Sequence, residues 1–161
     1  MVKAKNTVPP GVHTVTPFLT IKDAREAVDF YKKTFGAEEV SVLEIDGRVM
    51  HAHIKIGNSA IFMGEECQEM GKLGAETRGF ATSSLLIYVD DVDAAFDKAV
   101  KAGCKVGMPV ADMFWGDRYC HVTDPFGQEW SIATHTEDLT PEQIKANFRE
   151  MTKNMAACAS K

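Results

Sequence analysis

The 161-residue chain is poor in cysteine, with four in all, and no two of them form a CxxC pair. Cys67, Cys104, Cys120 and Cys158 are scattered, so no disulfide framework is expected and a reducing, cytoplasmic compartment is. A lone strand cysteine such as Cys120 reads as a small buried hydrophobe rather than a nucleophile. Long apolar runs are missing too. The stretch Leu85 to Val89 is strand-length and far short of a membrane span. Basic excess is absent: the net charge of −5 is mild and spread along the chain, which removes a footprint for nucleic acid or anionic membrane. Met1 to Val12 carries two lysines but no apolar core before a small-residue cleavage site, so no secretory signal is expected. Hydrophobic residues at 45% and charged residues at 25% are those of an ordinary globular protein. The length allows one domain or two small fused modules.

What is present is a repeated order of elements. Residues 1–12, with Pro9-Pro10, read as a loose arm. His13 to Ile21 alternates and is rich in β-branched and aromatic residues, which predicts a strand. Asp23 then caps a helix, with Glu26 completing a capping box and Gly36 as the left-handed stop. Three short strands follow: Val40 to Glu44, Val49 to Ile56 after an Asp46-Gly47 turn, and Ser59 to Met63. Residues 65–81 are mostly polar and aperiodic, which predicts a linker or a functional lid. The order then restarts. Ser83 to Val89 is a strand, Asp90 or Asp91 caps a helix ending at Gly103, and strands follow near 105–110, 117–123 and 128–134. The tail, 138–161, holds a capping box at Thr140-Pro141-Glu142-Gln143 and an apolar stripe of Ile144, Phe148, Met151 and Met155.

A shift of 68 residues superposes the halves. Ile21-Lys22-Asp23 lands on Val89-Asp90-Asp91, His51 on Tyr119, His53 on His121 and Phe62 on Trp130. Each half, 13–64 and 82–137, is therefore a βαβββ module. One helix cannot cover both faces of a four-stranded sheet, so the modules are expected to pair. The fold class is α+β: two tandem βαβββ modules forming a curved, mostly antiparallel sheet around a cavity, plus a C-terminal helix.

Met113 to His135 concentrates the chemistry. It reads as strand, Asp124-Pro125-Phe126-Gly127 turn and strand. Arg118, Tyr119 and His121 lie on one arm, and Glu129, Trp130 and Ser131 on the other.

The motifs PFLTIKDAREAVDFYKKTFGAEE, YVDDVDAAFDKAVKAG and WGDRYCHVTDPFGQEWSIATH resemble those of the vicinal oxygen chelate superfamily, which contains glyoxalase I, bleomycin-resistance proteins and extradiol dioxygenases. Within it the chain looks most like the PhnB-like branch. The resemblance covers residues 13 to about 137 and is specific for fold, not for reaction. It implies a divalent metal held by His, Glu or Gln on the first and last strand of each module. Those positions carry over to Thr16, Met63, Ser84 and Ser131, none of them a usual ligand. No metal and no other cofactor is therefore expected.

With those four positions turned inward, strand alternation predicts a ligand cavity lined by Thr16, Phe18, His51, His53, Met63, Ser84, Tyr88, Tyr119, His121, Glu129 and Ser131, with Phe114 and Trp115 at its rim. Phe62, Trp130, Cys120 and Val122 then face the helices. Arg118 would contact an anion if it lay at the cavity mouth, but its strand phase points away, as for a surface salt bridge. The leading expectation is metal-free binding of a small organic molecule, a drug or a metabolite, in the cavity of a homodimer. A second is a metal-dependent lyase, isomerase or dioxygenase using His53, His121 and Glu129 as ligands in place of the family's set. A third is a metal-free enzyme with Glu129 or a histidine as general base. The sequence leaves open whether the chain is an enzyme.

Overall fold

The computed structural model describes residues 3–159, and their side chains as far as residue 154. The elements are β1 (Phe18–Ile21), α1 (Ala24–Phe35), β2 (Glu38–Ile45), β3 (Arg48–Ile56), β4 (Ser59–Glu65), α2 (Ala75–Arg78), β5 (Ser84–Tyr88), α3 (Val92–Lys101), β6 (Lys105–Asp112), β7 (Asp117–Thr123), β8 (Glu129–His135) and α4 (Pro141–Ala159). They group into two compact units, Met1–Ser83 with Asp124–Gln128, and Ser84–Thr123 with Glu129–Lys161. Both βαβββ modules are thus present. Among the described residues the strands form two four-stranded sheets, one per module, ordered β1-β4-β3-β2 and β5-β8-β7-β6. In each, the first and last strands of the module run parallel and the other pairs antiparallel.

The first unit is built as its local signals dictate. Asp23 accepts the Glu26 backbone N–H at 3.0 Å, and Gly36 closes α1 in the left-handed region at φ 67°. Helical spacing puts Ala24, Ala27, Val28 and Tyr31 on one buried stripe. That stripe lies against Leu19, Ile21, Ala52, Ile54, Ile61 and Met63, all buried. Each large apolar side chain sealed there stabilises the fold by about 1.5–3 kcal/mol. Asp46 and Gly47, at φ 51° and 76°, form the tight hairpin turn between β2 and β3. The first strand is shorter than its sequence pattern. Residues 13–17 instead lie outside the strand, bent at Thr14 and Val15, and the Thr16 hydroxyl donates to the His13 carbonyl at 2.9 Å.

The stretch 65–81 has more order than its composition indicates. Gln68–Met70 is a 3-10 turn closed by a Cys67–Lys72 bridge, and α2 follows. The Glu66 carboxylate accepts the Gly74 N–H at 3.1 Å.

In the second unit Asp91 caps α3 by accepting the Ala94 N–H at 3.0 Å, and the Thr134 hydroxyl accepts the Val92 N–H at 2.9 Å. Val92, Ala99, Cys104, Cys120, Val122, Trp130 and Ile132 form the core between α3 and the sheet. The capping box of α4 is closed in both directions between Thr140 and Gln143. Phe148 of α4 lies 5.1 Å from the Phe114 ring, while the Asn147 amide donates to the Phe114 carbonyl. The Met155 and Cys158 side chains lie outside the described residues.

Candidate functional site

Strand period two decides which side chains the second sheet turns away from α3. The register pairs Thr123 with Glu129, His121 with Ser131, Tyr119 with Ala133 and Asp117 with His135. β5 adds Ser84, Leu86 and Tyr88 beside Glu129, Ser131 and Ala133. The complementary set, Cys120, Val122, Trp130 and Ile132, is buried toward α3, as the sequence predicts. Arg118 belongs to that side as well. Its guanidinium grips the Asp93 carboxylate at 2.7 and 2.8 Å and Asp112 at 2.9 Å.

Three hydroxyls meet on the face away from α3. Tyr119 Oη lies 2.7 Å from Ser131 Oγ, which lies 3.2 Å from Ser84 Oγ. Ser131 is buried, so its hydroxyl depends on these partners to replace water. One row away, His121 Nε2 is 3.5 Å from a Glu129 carboxylate oxygen. Gly107 gives that imidazole its place: a Cβ there would stand 2.3 Å from His121 Nδ1.

At the other end of the face Asp117 is a buried carboxylate with three side-chain donors. Tyr88 O–H and Trp115 Nε1–H both donate to Oδ2 at 2.9 Å, and His135 Nδ1 meets Oδ1 at 2.7 Å. Burial alone would raise the Asp117 pKa. The bonds from His135, Tyr88 and Trp115 outweigh it and hold the carboxyl below its ordinary value. The same bond from Asp117, with a weaker one from Asp138, raises the His135 pKa. Asp117 likewise raises that of Tyr88. Trp115 also stands edge-on to Tyr119, ring centres 5.7 Å apart, and so joins the two ends.

The first unit offers a different face, and here two expectations are corrected. Register pairs Ala52 with Met63 and His53 with Phe62. Met63 is therefore buried toward α1 with Ala52 and Ile54, and does not line a cavity. Phe62, expected against the helix, lies on the opposite face, 4.9 Å from both the His51 and His53 rings. Phe18 completes that aromatic group, 6.1 Å from His51, and is half exposed. The cause is a one-residue difference in hairpin length. His53 and Phe62 are nine apart, whereas their counterparts His121 and Ser131 are ten apart, so the 68-residue shift fails beyond the hairpin. Thr16 is the other correction. It precedes β1 and spends its hydroxyl on its own backbone.

These residues do not fit the metal that the resemblance implies. In the second unit the two ligand positions hold Ser84 and Ser131, neutral hydroxyls bonded to each other. In the first they fall on a threonine that precedes β1 and on a face position filled by Phe62. Of the substitute ligands weighed above, His121 and Glu129 stand together in the second unit while His53 belongs to the first. Among the described residues no group of three or more His, Cys, Asp or Glu side chains is disposed to hold a metal ion.

Asp117, His135 and Asp138 were not among the sequence candidates. A signal existed: carrying the Tyr119 and His121 alternation back by two residues, and that of Ser131 forward by four, brings Asp117 opposite His135.

Comparison with known proteins agrees with this architecture. A sequence model described as the Glyoxalase/Bleomycin resistance protein/Dioxygenase superfamily matches residues 11–132. An uncharacterized protein of Mycobacterium bovis is 35% identical over 136 residues, covering 82% of this chain and 90% of the relative. TioX from Micromonospora sp. ML1 is similar in structure, with TM-score 0.59 and 22% identity over 80% of this chain and 100% of its own. The PhnB protein from Bacillus cereus gives TM-score 0.61 and 20% identity over 76% of this chain and 99% of its own.

Proposed function

The chain belongs to the glyoxalase/bleomycin resistance protein/dioxygenase superfamily, and from that premise we propose that it binds a small organic molecule without a metal. The site is the face of the β5–β8 sheet turned away from α3. One observation carries this reading: Ser84 and Ser131, in a hydroxyl chain with Tyr119, stand where the resemblance places metal ligands. Hydroxyls stay protonated and neutral at physiological pH, so they bind a cation weakly. They remain good donors and acceptors toward a carbonyl or hydroxyl oxygen. Tyr88, Tyr119 and Trp115 add flat aromatic surface beside them, which suits a planar ligand bearing an oxygen function.

Self-association into a homodimer belongs to the same proposal. It is supported by large apolar side chains left exposed on the sheets, including Phe18, Leu43 and Leu86.

Ligand-observed NMR with a library of aromatic alcohols and ketones tests the binding site. Wild-type protein is expected to bind members that Tyr119→Phe and Ser131→Ala bind at least several-fold more weakly. Binding unaffected by both substitutions would contradict the assignment. So would a 1:1 complex with Zn²⁺, Ni²⁺, Mn²⁺ or Fe²⁺ on which ligand binding depends.

A further inference from the structure

The buried carboxylate at the edge of this face has a role of its own. Asp117 collects side chains from three directions: Tyr88 from β5, Trp115 from the segment before β7, and His135 from the end of β8. Two of these are aromatic walls of the proposed ligand face. Among the described residues Asp117 is the hydrogen-bond partner of both aromatic polar atoms, and Tyr88 is 60% exposed. An exposed tyrosine held only by packing samples several rotamers. Held by a buried carboxylate, it keeps one. The same oxygen of Asp117 accepts from both Tyr88 and Trp115, so the two rings are set relative to each other.

His135 is the third arm and the only one open to change near neutral pH. Its Nδ1 faces Asp117 at 2.7 Å and its Nε2 faces Asp138 at 3.0 Å. A neutral imidazole carries one N–H and serves one carboxylate as donor; only the imidazolium serves both. The titratable groups facing the ring are Asp117 from β7 and Asp138 from the segment after β8, with Tyr88 from β5 meeting the same Asp117 carboxylate. Asp138 is fully exposed and Asp117 is buried, so loss of the proton releases Asp138 first.

We propose that Asp117 is the positioning residue of the ligand face, fixing Tyr88 and Trp115 together, and that protonation of His135 switches the net charge of this cluster. The link to ligand rests on the function proposed above; the positioning itself does not. When His135 is charged, Asp117 is neutralised within its bonded cluster. When His135 is neutral, Asp117 remains an uncompensated anion whose charge is shared among the Tyr88 and Trp115 donors and one N–H of the imidazole. The electronic surroundings of Trp115 therefore report the state of His135, because the three side-chain bonds meet at one carboxylate.

The test uses ligand-free full-length protein and needs no substrate. The Trp115 indole N–H resonance, assigned with Trp115→Phe, and the His135 ring signals are followed by NMR against pH. His135 is expected to titrate above the ordinary value of about 6.5, and the Trp115 signal to shift with the same midpoint. Asp138→Asn lowers that midpoint; Asp117→Asn lowers it further and moves the Trp115 signal to a new position. His135→Gln removes the pH step at Trp115 while leaving the folded spectrum intact. This variant carries the test if Asp117→Asn does not fold. A Trp115 signal that fails to titrate, or that titrates unchanged in His135→Gln, would overturn the proposal. Library compounds that bind elsewhere would overturn the assigned ligand face and leave the Trp115 result standing, so the two readings fail separately.

Discussion

The Tyr31 hydroxyl donates to Asp124 Oδ2 at 2.7 Å, in a buried contact between residues 93 apart in sequence. Asp124 opens the β7–β8 turn, and its other oxygen accepts the backbone N–H groups of Phe126 and Gln128, each at 2.9 Å. Phe126 packs edge-on to Phe30 and Tyr31. The turn is therefore part of the first compact unit although its strands belong to the second. Tyr31→Phe removes the donor and leaves a buried carboxylate oxygen with one bond fewer. A loss of about 1–3 kcal/mol is expected in urea unfolding. An unchanged midpoint would show that water replaces the hydroxyl without cost.

Face assignment in β4 gives a second prediction. Met63 is fully buried against the α1 side, so Met63→Ala should cost about 2–5 kcal/mol. Phe62→Ala, on the opposite and partly exposed face, should cost less and alter the His51 and His53 ring shifts in NMR spectra. The reverse order of stabilities would restore the phase read from the repeat.

That phase is instructive about what a sequence discloses. Local signals with a fixed mechanism were legible: Asp23 as a cap, Asp90 or Asp91 as a second, which the structure resolves to Asp91, Asp46-Gly47 as a turn, Thr140 and Gln143 as a capping box. The repeat was legible because Asp, Gly and apolar positions recur at a near-constant shift. Its failure at Met63 has a simple origin. One residue more or less in a hairpin reverses every side chain after it, and neither Phe62 nor Met63 is polar enough to betray its side. Thr16 was misplaced because an alternating pattern does not reveal where pairing begins. The Asp117 cluster was hidden for another reason. Its members are spread over residues 88–138, and only three-dimensional register brings them together.

Thiol reactivity separates the cysteines. Burial pushes the Cys120 thiol up to about 11, and Cys104 is buried as well. Cys67 is partly exposed. Native protein treated with iodoacetamide near pH 8 should be alkylated at Cys67, while Cys104 and Cys120 react only after unfolding. Peptide mapping by mass spectrometry reads the outcome. Rapid native labelling of Cys120 would contradict the packing of the second core.

The Asp117–His135 pair makes stability depend on pH in two opposed ways. The folded pKa of His135 is raised, so its contribution is complete below about pH 6.5 and is lost as pH rises through the folded value. The folded pKa of Asp117 is lowered, so its contribution is complete above about pH 3.9 and is lost as pH falls through the folded value. Melting temperatures of wild type and His135→Gln should therefore differ most on the mildly acidic side of neutrality and converge in alkali. Curves that run parallel from acid to alkali would exclude a titrating His135 as the source.

Native mass spectrometry of the protein purified from its own source tests the central claim most directly. Metal-free recognition predicts a dimer that carries a small organic molecule, releases it on denaturation, and contains no stoichiometric Zn, Ni, Mn or Fe. Tyr119→Phe and Ser131→Ala should each lower its occupancy. A tightly held transition metal at one ion per chain, retained when Tyr119 and Ser131 are replaced, would contradict the account.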